Sequence, residues 1–420
     1  MLSYLVRGLY SIFLRLLTPL LLLRIWRRGR QEPAYRQRWL QRLGFYGGAA
    51  PTSKNAVWLH AVSLGEMRTA ALLLSEWRVR EPNLQVLLTC STATGWAEGE
   101  KLCDAQTQLV WLPWDMPGAV RRFYTRFQPR LGLLMETEVW PNLVAQAQRQ
   151  RIPLYLINAR LSAKSLAQAL RLAPLARPTY AALAGVLAQS KGDAENLQVL
   201  GAKVAAITGN IKFDIKINQA QIDEAQSLKA AWGDVKIITL ASSREGEEAL
   251  FLAALAQQAE GIKGLIPMIV PRHPQRFAEI KQLAEQYGWQ TLPRIDFQAD
   301  KAPEPKTLLL GNSMGEMFFY YALSDVALMG GSFAPLGGQN LIEALAAHCP
   351  VVLGPHTYNF ADASAQALQV GLAKRAADMS QALELALAQL QRRLEPERFV
   401  QYLQDNQGAI GRSLGFLCKD

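Results

Sequence analysis

Two acidic segments follow apolar strands in the first half of the chain. In residues 57–74, VWLHAVSLGEMRTAALLL, a strand gives way to a helix, and Glu66 lies where that helix begins. In residues 133–142, LLMETEVWPN, a second strand runs into Glu136 and Glu138. A carboxylate at such a strand end can take a proton from a substrate hydroxyl, and two in one crevice must differ in role or share a proton. Alternatively, these acids only cap the helices that follow, because negative charge stabilises a helix N-terminus.

Two basic residues occupy positions where they could meet an anion. Arg272 ends an apolar strand in the segment IVPRHP, residues 269–274, and its permanently charged guanidinium suits bidentate recognition of phosphate. Lys212 lies in GNIKFD, residues 209–214, where the chain is predicted to cross between two domains. The alternative for both is an ordinary solvated surface charge, and the residues by themselves leave it open.

Two glycine-containing segments in the second half are typical of ligand-binding loops. They are GNSMGEM, residues 311–317, and MGGSFAPLGGQNLIEAL, residues 329–345. In the longer one, a helix is predicted to open at Asn340 with Glu343 three residues later. Exposed backbone N–H groups there could hold a phosphate while the carboxylate accepts from a ribose diol. The alternative is that Asn340 and Glu343 form only a helix cap.

The positive charge of the chain is concentrated at its N-terminus. The net charge is +10, from 45 basic and 35 acidic residues, and the first 50 residues hold nine arginines against one acid, Glu32. Subtracting these leaves 36 basic and 34 acidic residues in the remainder. The folded body is therefore close to neutral, and the charge does not indicate nucleic acid as its partner.

An apolar run over residues 9–25 is broken by Arg15 and Pro19 and followed by an arginine cluster. Its length is at the lower limit for spanning a bilayer, and Arg15 would be costly at the bilayer centre. It could equally lie in the membrane interface with its arginines on anionic headgroups, or be a plain surface helix. We predict a membrane anchor or docking helix over residues 1–30, a signal-anchor that keeps the rest of the chain in the cytoplasm.

Cysteine and histidine spacing gives no sign of a metal or disulfide framework. The four cysteines have no CxxC pair, and the four histidines have no HxxxH pair. We therefore predict no metal site and no cofactor.

Short apolar runs alternate with helical segments along the chain, which predicts α/β domains with parallel sheets covered on both faces. The predicted strands cover 56–62, 85–92, 108–114, 131–136, 154–158 and 185–189, then 236–241, 265–270, 307–310, 326–329 and 351–353. Helices such as 247–260 and 274–287 separate the second series. The interpretation is two Rossmann-like domains facing each other across a cleft.

The domain boundaries follow from these two series. We predict a first domain at 31–208 that binds the acceptor, an interdomain connection at 209–235 and a second, donor-binding domain at 236–395. Residues 396–420 are predicted to hold one C-terminal helix, about 396–417, that packs back on the first domain.

Eight motifs together resemble one enzyme family. They are LHAVSLGE, METEVWPNL, NARLS, GNIKFD, PRHPQRF, MGE, GGSFAPLGGQN and GPHTYNF. In order and spacing, across nearly all 420 residues, they resemble the 3-deoxy-D-manno-octulosonic acid (Kdo) transferases of lipopolysaccharide biosynthesis. The resemblance implies a GT-B glycosyltransferase fold, CMP-Kdo as donor and a lipid A precursor, lipid IVA, as acceptor. It also implies an inverting, metal-independent reaction at the cytoplasmic face of the inner membrane.

The same resemblance assigns roles to residues of this chain. Glu66 matches the general base, and Glu136 and Lys212 match residues that stabilise the transition state. The positions that match the CMP-binding elements are Pro271, Arg272, Met314, Gly315, Glu316, Asn340, Leu341, Ile342 and Glu343. Three residues depart from the pattern, because Gln339, Leu341 and Asn210 stand where many members have His, Pro and Ser.

Two other functions compete with this one. The first is another GT-B enzyme that uses a UDP-sugar, either a transferase or an epimerase. The second is a membrane-docked scaffold without activity, which would be expected to have lost the strand-end acids; Glu66, Glu136 and Glu138 are all present.

Overall fold

The computed structural model describes residues 2–47, 55–258, 264–392 and 394–418. The chain divides into two compact units. Unit 1 comprises Met1–Asp214 together with Gln407–Asp420, and unit 2 comprises Ile215–Asn406. Each unit contains one parallel sheet of seven strands in its described part.

Unit 1 alternates strands and helices. Its strands are β1 (Val57–His60), β2 (Val86–Cys90), β3 (Thr107–Trp111), β4 (Leu131–Met135), β5 (Leu154–Ala159), β6 (Gly185–Ala188) and β7 (Val204–Ile207). Its helices are α1 (Leu2–Arg28), α2 (Leu64–Arg80), α3 (Ala93–Glu100), α4 (Pro117–Phe127), α5 (Pro141–Arg149), α6 (Ala163–Leu170), α7 (Ala173–Ala181), α8 (Lys191–Val199) and, from the end of the chain, α17 (Ala409–Leu417).

Unit 2 repeats the alternation. Its strands are β8 (Lys236–Ser243), β9 (Leu265–Pro271), β10 (Gln290–Pro293), β11 (Thr307–Leu310), β12 (Val326–Met329), β13 (Val351–Leu353) and β14 (Ala373–Arg375). Its helices are α9 (Gln219–Trp232), α10 (Glu247–Gln258), α11 (Phe277–Gln286), α12 (Met317–Leu323), α13 (Leu341–Ala346), α14 (Ala361–Gln369), α15 (Met379–Leu390) and α16 (Pro396–Asn406).

The strand order places a crevice in the middle of each sheet. In unit 1 the order is β3-β2-β1-β4-β5-β6-β7, and in unit 2 it is β10-β11-β9-β8-β12-β13-β14. In unit 1 the strands that follow β1 and those that follow β4 are added toward opposite edges of the sheet. In unit 2 the same is true of the strands that follow β8 and those that follow β12. Ligands of doubly wound sheets bind outside the carboxyl ends of the strands at such a switch point.

Burial on both faces of the sheet explains the unbroken apolar strands. All four residues of β1 are buried. Trp58 points into one core cluster, where its ring lies 5.0 Å from that of Phe123. Leu59 belongs to the cluster on the other face, together with Leu73 of α2. A strand with apolar residues at every position is stable only when helices cover both faces of its sheet.

All eleven predicted strands are present, and three others were missed. The missed strands are β7, β10 and β14. The predicted connection at 209–235 contains the fourteen-residue helix α9. The predicted helix 247–260 is α10, whose last two predicted residues lie outside the described part of the chain.

The single C-terminal helix predicted at about 396–417 is wrong in form, because two helices occupy this segment. The chain breaks between α16 and α17 at Gly408, whose φ of 88° lies in the left-handed region that favours glycine. Helix α16 belongs to unit 2 and α17 to unit 1. Asp214 accepts hydrogen bonds from the backbone N–H groups of Gly408 and Ile410 at 2.6 and 2.5 Å, which fixes the start of α17.

Helix α1 is long and apolar enough to cross a membrane, judged by length and composition alone. It is also docked on unit 1. Ser11 is buried and accepts a hydrogen bond from the Asn142 side-chain amide at 3.1 Å. Further along the helix, the Thr18 hydroxyl donates a hydrogen bond to the Met116 sulfur at 3.4 Å. These contacts hold one side of α1 against the body of unit 1.

Candidate active site

Glu66 lies in the first turn of α2, directly after β1. Ser63 is the N-cap residue, and its hydroxyl donates to Glu66 Oε1 at 3.1 Å while accepting from the Glu66 N–H at 3.4 Å. The Val62 N–H donates to Glu66 Oε2 at 2.9 Å. Ser63 therefore caps the helix, and the Glu66 carboxylate supports this cap from the residue before it, in an arrangement related to the capping box. These contacts fix the orientation of the Glu66 carboxyl group.

Glu136 lies at the end of β4, the strand next to β1. It is only 5% exposed, and its φ of 56° is unusual for a residue other than glycine. Lys212 Nζ lies 2.8 Å from Glu136 Oε1, and Arg160 Nε lies 3.1 Å from Oε2. The structure thus brings Glu136 and Lys212 together, and both carboxylate oxygens meet a cation. Strained backbone of this kind clusters at functional sites.

Lys212 is positioned by a short turn, Ile211–Phe213. Asn158 at the end of β5 accepts the Ile211 N–H at 3.0 Å, and Asn210 accepts the Lys212 N–H at 3.0 Å. The turn is therefore tied to the strand that precedes Arg160. This places the lysine at the same edge of the sheet as the two acids.

Electrostatics set the protonation state of Glu66. Burial and, after it, the nearby charges of Glu136 and Glu138 together raise the pKa of Glu66 to about 7, against the opposing hydrogen bonds from Val62 and Ser63. Burial also raises the pKa of Glu138, although the Trp140 indole N–H, 2.9 Å away, lowers it. A carboxyl group that titrates near neutral pH can accept and release a proton efficiently.

His60 is a buried neutral neighbour of these acids. Burial lowers the pKa of His60 to about 4. Its Nδ1 lies 3.1 Å from the Thr89 carbonyl oxygen and 2.9 Å from the Thr89 hydroxyl oxygen. Its Nε2 faces Glu138 Oε2 at 3.9 Å. His60 therefore adds no positive charge to the site at neutral pH.

In unit 2, a carboxylate accepts hydrogen bonds from backbone N–H groups of the glycine-rich loop. Glu247 is buried at the start of α10, and it accepts the N–H groups of Gly331, Phe333 and Ala334 at 2.8, 3.2 and 3.3 Å. Glu247 thus satisfies three N–H groups of this loop, whereas phosphate binding at the start of the helix that opens at Asn340 stays a prediction. A side chain at Gly330 would lie 2.5 Å from the Ser242 carbonyl oxygen, so this glycine allows β12 to run close to β8.

A cluster of arginines lies at the carboxyl ends of β8 and β9. The pKa of His273 is lowered first by burial and then by the charges of Arg244, Arg272 and Arg276. Arg276 forms an ion pair with the fully buried Glu248 at 2.6 Å. Pro271 is the buried last residue of β9, and the Arg272 N–H that follows donates to the Ser243 carbonyl oxygen at 3.1 Å. Such a concentration of positive charge suits an anionic ligand.

The remaining predicted donor-site residues differ in accessibility. Met314 is 58% exposed, Gly315 has a φ of 82°, and Glu316 meets Ser313 and, at 3.2 Å, Arg294. Asn340 caps α13 by accepting the Ile342 N–H at 3.1 Å. Glu343 is half-buried. Leu341 and Ile342 are fully buried, so only their backbone could contact a ligand.

Comparison with known proteins identifies the family. Residues 37–215 match the sequence profile described as 3-Deoxy-D-manno-octulosonic-acid transferase (kdotransferase). The chain is 46% identical to the 3-deoxy-D-manno-octulosonic acid transferase of Bordetella pertussis over 403 residues, covering 93% of this chain and 92% of the relative. This chain belongs to the Kdo transferase family. It is 32% identical to the Haemophilus influenzae enzyme of the same name, covering 98% of each chain.

The solved structures agree on the fold. A glycosyltransferase from Rickettsia africae aligns with 87% of this Kdo transferase and 98% of its own chain, with a TM-score of 0.56 at 12% identity. At this identity the likeness concerns the fold alone. With its two seven-stranded parallel sheets and its N-terminal apolar helix, the chain is a GT-B glycosyltransferase.

The structure adds residues to the site of this Kdo transferase that sequence reasoning missed. Arg160 appeared in the motif NARLS without a role, although it directly follows β5 and could have been found by the strand-end rule applied to Arg272. Glu247 and Arg244 follow β8 in the same way. Among the described residues, no three His, Cys, Asp or Glu side chains are grouped so that they could hold a metal ion.

Proposed function

We propose that this enzyme transfers Kdo from CMP-Kdo to a sugar hydroxyl of a lipid A precursor, lipid IVA, by an inverting, metal-independent reaction. One observation carries the proposal. Glu66 lies at the switch point of the unit 1 sheet, where the ion-paired Glu136 also lies, and its pKa is raised to about 7. A group that titrates in this range has the properties of a general base.

In the proposed reaction, the acceptor oxygen forms a bond to the anomeric carbon of Kdo as the bond from that carbon to the CMP phosphate oxygen breaks. Glu66 takes the hydroxyl proton. Positive charge that develops at the anomeric carbon is stabilised by Glu136. Lys212 and Arg160 fix the Glu136 carboxylate through contacts of 2.8 and 3.1 Å, so it needs no reorientation during the reaction.

Unit 2 is proposed to bind the donor. Arg272 and Arg244 would face the phosphate and the sugar carboxylate of CMP-Kdo. The charges of both arginines lower the pKa of His273, which means that both lie near this histidine. Pro271, Met314–Glu316 and Asn340–Glu343 complete the proposed CMP site. Fixed cations can stabilise the departing phosphate in the role that a metal ion has in other transferases.

We further propose that the enzyme works at the cytoplasmic face of the inner membrane. Apolar residues on the outer side of α1 are exposed, among them Leu9, Phe13 and Leu16. Arginines that follow this helix in sequence could bind anionic lipid headgroups.

The decisive experiment is a transfer assay with CMP-Kdo and tetraacylated lipid IVA, read by mass spectrometry, with the product anomer assigned by NMR. We expect the mass to increase by Kdo units, the anomeric configuration to invert, and activity to persist with a metal chelator. Parallel reactions offer UDP-sugars. Transfer from a UDP-sugar, or retention of configuration, would refute the proposal.

A further inference from the structure

Helix α1 and the body of unit 1 line a half-open cavity of about 330 Å³. Its apolar walls include Leu14, Leu17 and Leu21 from the helix and Leu112, Trp114 and Leu143 from the body. Protein interiors normally have few voids larger than a water molecule. Two facing apolar surfaces that remain this far apart therefore indicate a binding site, and the volume lies at the lower end of the range for ligand pockets, about 300–1,000 Å³.

Specific side-chain contacts hold α1 in place, so the cavity beside it has a defined shape. Ser11 is buried against Asn142 near one end of the lining, and Thr18 contacts Met116 near its middle. Asp115, another lining residue, accepts the N–H groups of Asn142 and Leu143 at 2.9 and 2.7 Å and thereby caps α5. The contacts of Ser11 and Thr18 fix the register of α1 on unit 1, and Leu14, Leu17 and Leu21 remain only half-buried.

The helix has a second apolar face, which points outward. Leu9, Ile12, Leu16 and Leu20 are 52–74% exposed and recur at helical spacing. That outer face is the one suited to contact with lipid. The inner leucines are not needed for membrane contact, and they line the cavity instead.

One end of the cavity is cationic. Arg42 is 4% exposed, and its Nε has no hydrogen-bond partner within the described ranges. Its guanidinium lies 4.1 Å from the centre of the Trp111 ring and donates to the Ser91 carbonyl oxygen at 3.3 Å. Arg24 and Arg28 of α1 also line the cavity and are exposed. An amphipathic ligand with an apolar chain and an anionic group matches this distribution.

The cavity and the candidate active site share a wall. Trp140 lines the cavity, and its indole N–H donates to Glu138 Oε2 at 2.9 Å. Glu138 in turn is one of the two carboxyls whose charge raises the pKa of Glu66. A ligand in this cavity is therefore placed beside the acids at the end of β4. This adjacency favours the substrate over a bulk phospholipid.

We propose that the cavity under α1 binds one acyl chain of the acceptor lipid and so positions its sugar hydroxyl at Glu66. The inference rests on the proposed acceptor being acylated. Helix α1 then has two roles, because its outer face meets the membrane and its inner face forms part of the acceptor site.

A matched pair of substitutions on one helix tests this. Leu17→Trp places a bulky side chain in the cavity, whereas Leu16→Trp puts the same side chain on the outer face, where Leu16 is 74% exposed. Steady-state kinetics use two acceptors, one fully acylated and one with its acyl chains removed. We expect Leu17→Trp to raise KM for the acylated acceptor at least tenfold and to leave kcat/KM for the deacylated acceptor within twofold. Both acceptors are presented in detergent, so that docking on a bilayer does not enter the measurement, and Leu16→Trp should change neither value.

A second measurement is independent of the folding of the variants. An acceptor with a photoreactive group in one acyl chain should label residues 10–25 and 112–114 of the wild-type enzyme, and a phospholipid with the same group should not. Equal labelling by the phospholipid, or equal KM values for Leu17→Trp and wild type, would overturn the acyl-chain site while transfer continues. Failure of wild type to transfer Kdo to either acceptor would instead refute the proposed function and, with it, this inference.

Discussion

Replacing Glu66 by glutamine should separate catalysis from stability. In the folded protein, burial and neighbouring charge raise the Glu66 pKa from 4.5 to about 7. The raised value means that the folded state holds this proton more tightly than the unfolded state, so ionisation of Glu66 destabilises the fold as pH rises from about 4.5 to 7. At 1.36 kcal/mol per pH unit, the effect amounts to about 3 kcal/mol at pH 8.

Glu66→Gln removes that penalty and loses part of the capping. The amide oxygen can still accept one hydrogen bond, so the lost contact costs about 0.5–1.5 kcal/mol. We therefore expect the variant to be more stable than wild type by about 2 kcal/mol at pH 8 and no more stable than wild type at pH 4.5. Turnover should fall about 10²- to 10⁴-fold, because glutamine cannot accept the proton.

The assay combines kcat with melting temperatures at pH 4.5 and pH 8 on one preparation. Asp378→Ala is the control, since Asp378 caps α15 by accepting the Gln381 N–H at 2.9 Å. It should lose about 1 kcal/mol at pH 8 and keep full turnover. If Glu66→Gln behaves like this control, with turnover within threefold of wild type and lower stability at pH 8, Glu66 is only a cap and the reasoning is refuted.

Three further predictions concern the groups around Glu66 and the donor site. Glu138→Gln removes a like charge, so the acid limb of the kcat/KM profile should move to lower pH; an unmoved limb would contradict the coupling with Glu66. Lys212→Met leaves Glu136 with one cation and should lower stability by about 1.5–3 kcal/mol in thermal unfolding, with recovery in Lys212→Arg; full stability of the methionine variant would exclude a structural ion pair. Arg272→Ala should weaken CMP binding by about 2–4 kcal/mol in titration calorimetry, with partial recovery in Arg272→Lys, and equal affinities would make Arg272 a surface charge.

Strand prediction from the sequence succeeded where burial was complete and failed where it was partial. The central strands are apolar at most positions because helices cover both faces of their sheets. The missed strand β7, at an edge of the unit 1 sheet, alternates half-buried and exposed residues, and β10 and β14 are short edge strands with polar or half-buried positions. Their apolar signal is weak because an edge strand buries less side-chain surface.

Site prediction succeeded or failed according to how far apart the contacting residues lie in the sequence. The strand-end rule selected Glu136 and Arg272, each of which directly follows an apolar strand, and Glu66, which lies in the first turn of the helix after β1. It did not reveal that Arg160 and Lys212 share the carboxylate of Glu136, which requires contacts between residues 76 positions apart in the case of Lys212. Nor did the sequence of the glycine-rich loop show that Glu247 accepts its N–H groups, because Glu247 lies more than 80 positions earlier in the chain.

The return of α17 to unit 1 has a consequence for biosynthesis. Ala409, Ile410 and Leu414 belong to the same buried cluster as Leu73 of α2. While the ribosome is still translating unit 2, this cluster lacks its last members and presents an open apolar surface. Domains generally fold as units and in order of their synthesis, but here the N-terminal unit can be completed only after residues 409–417 have left the ribosome. Termination between residues 376 and 407 should therefore leave a product that is sensitive to proteases and prone to chaperone capture, even though every strand of both sheets has been made.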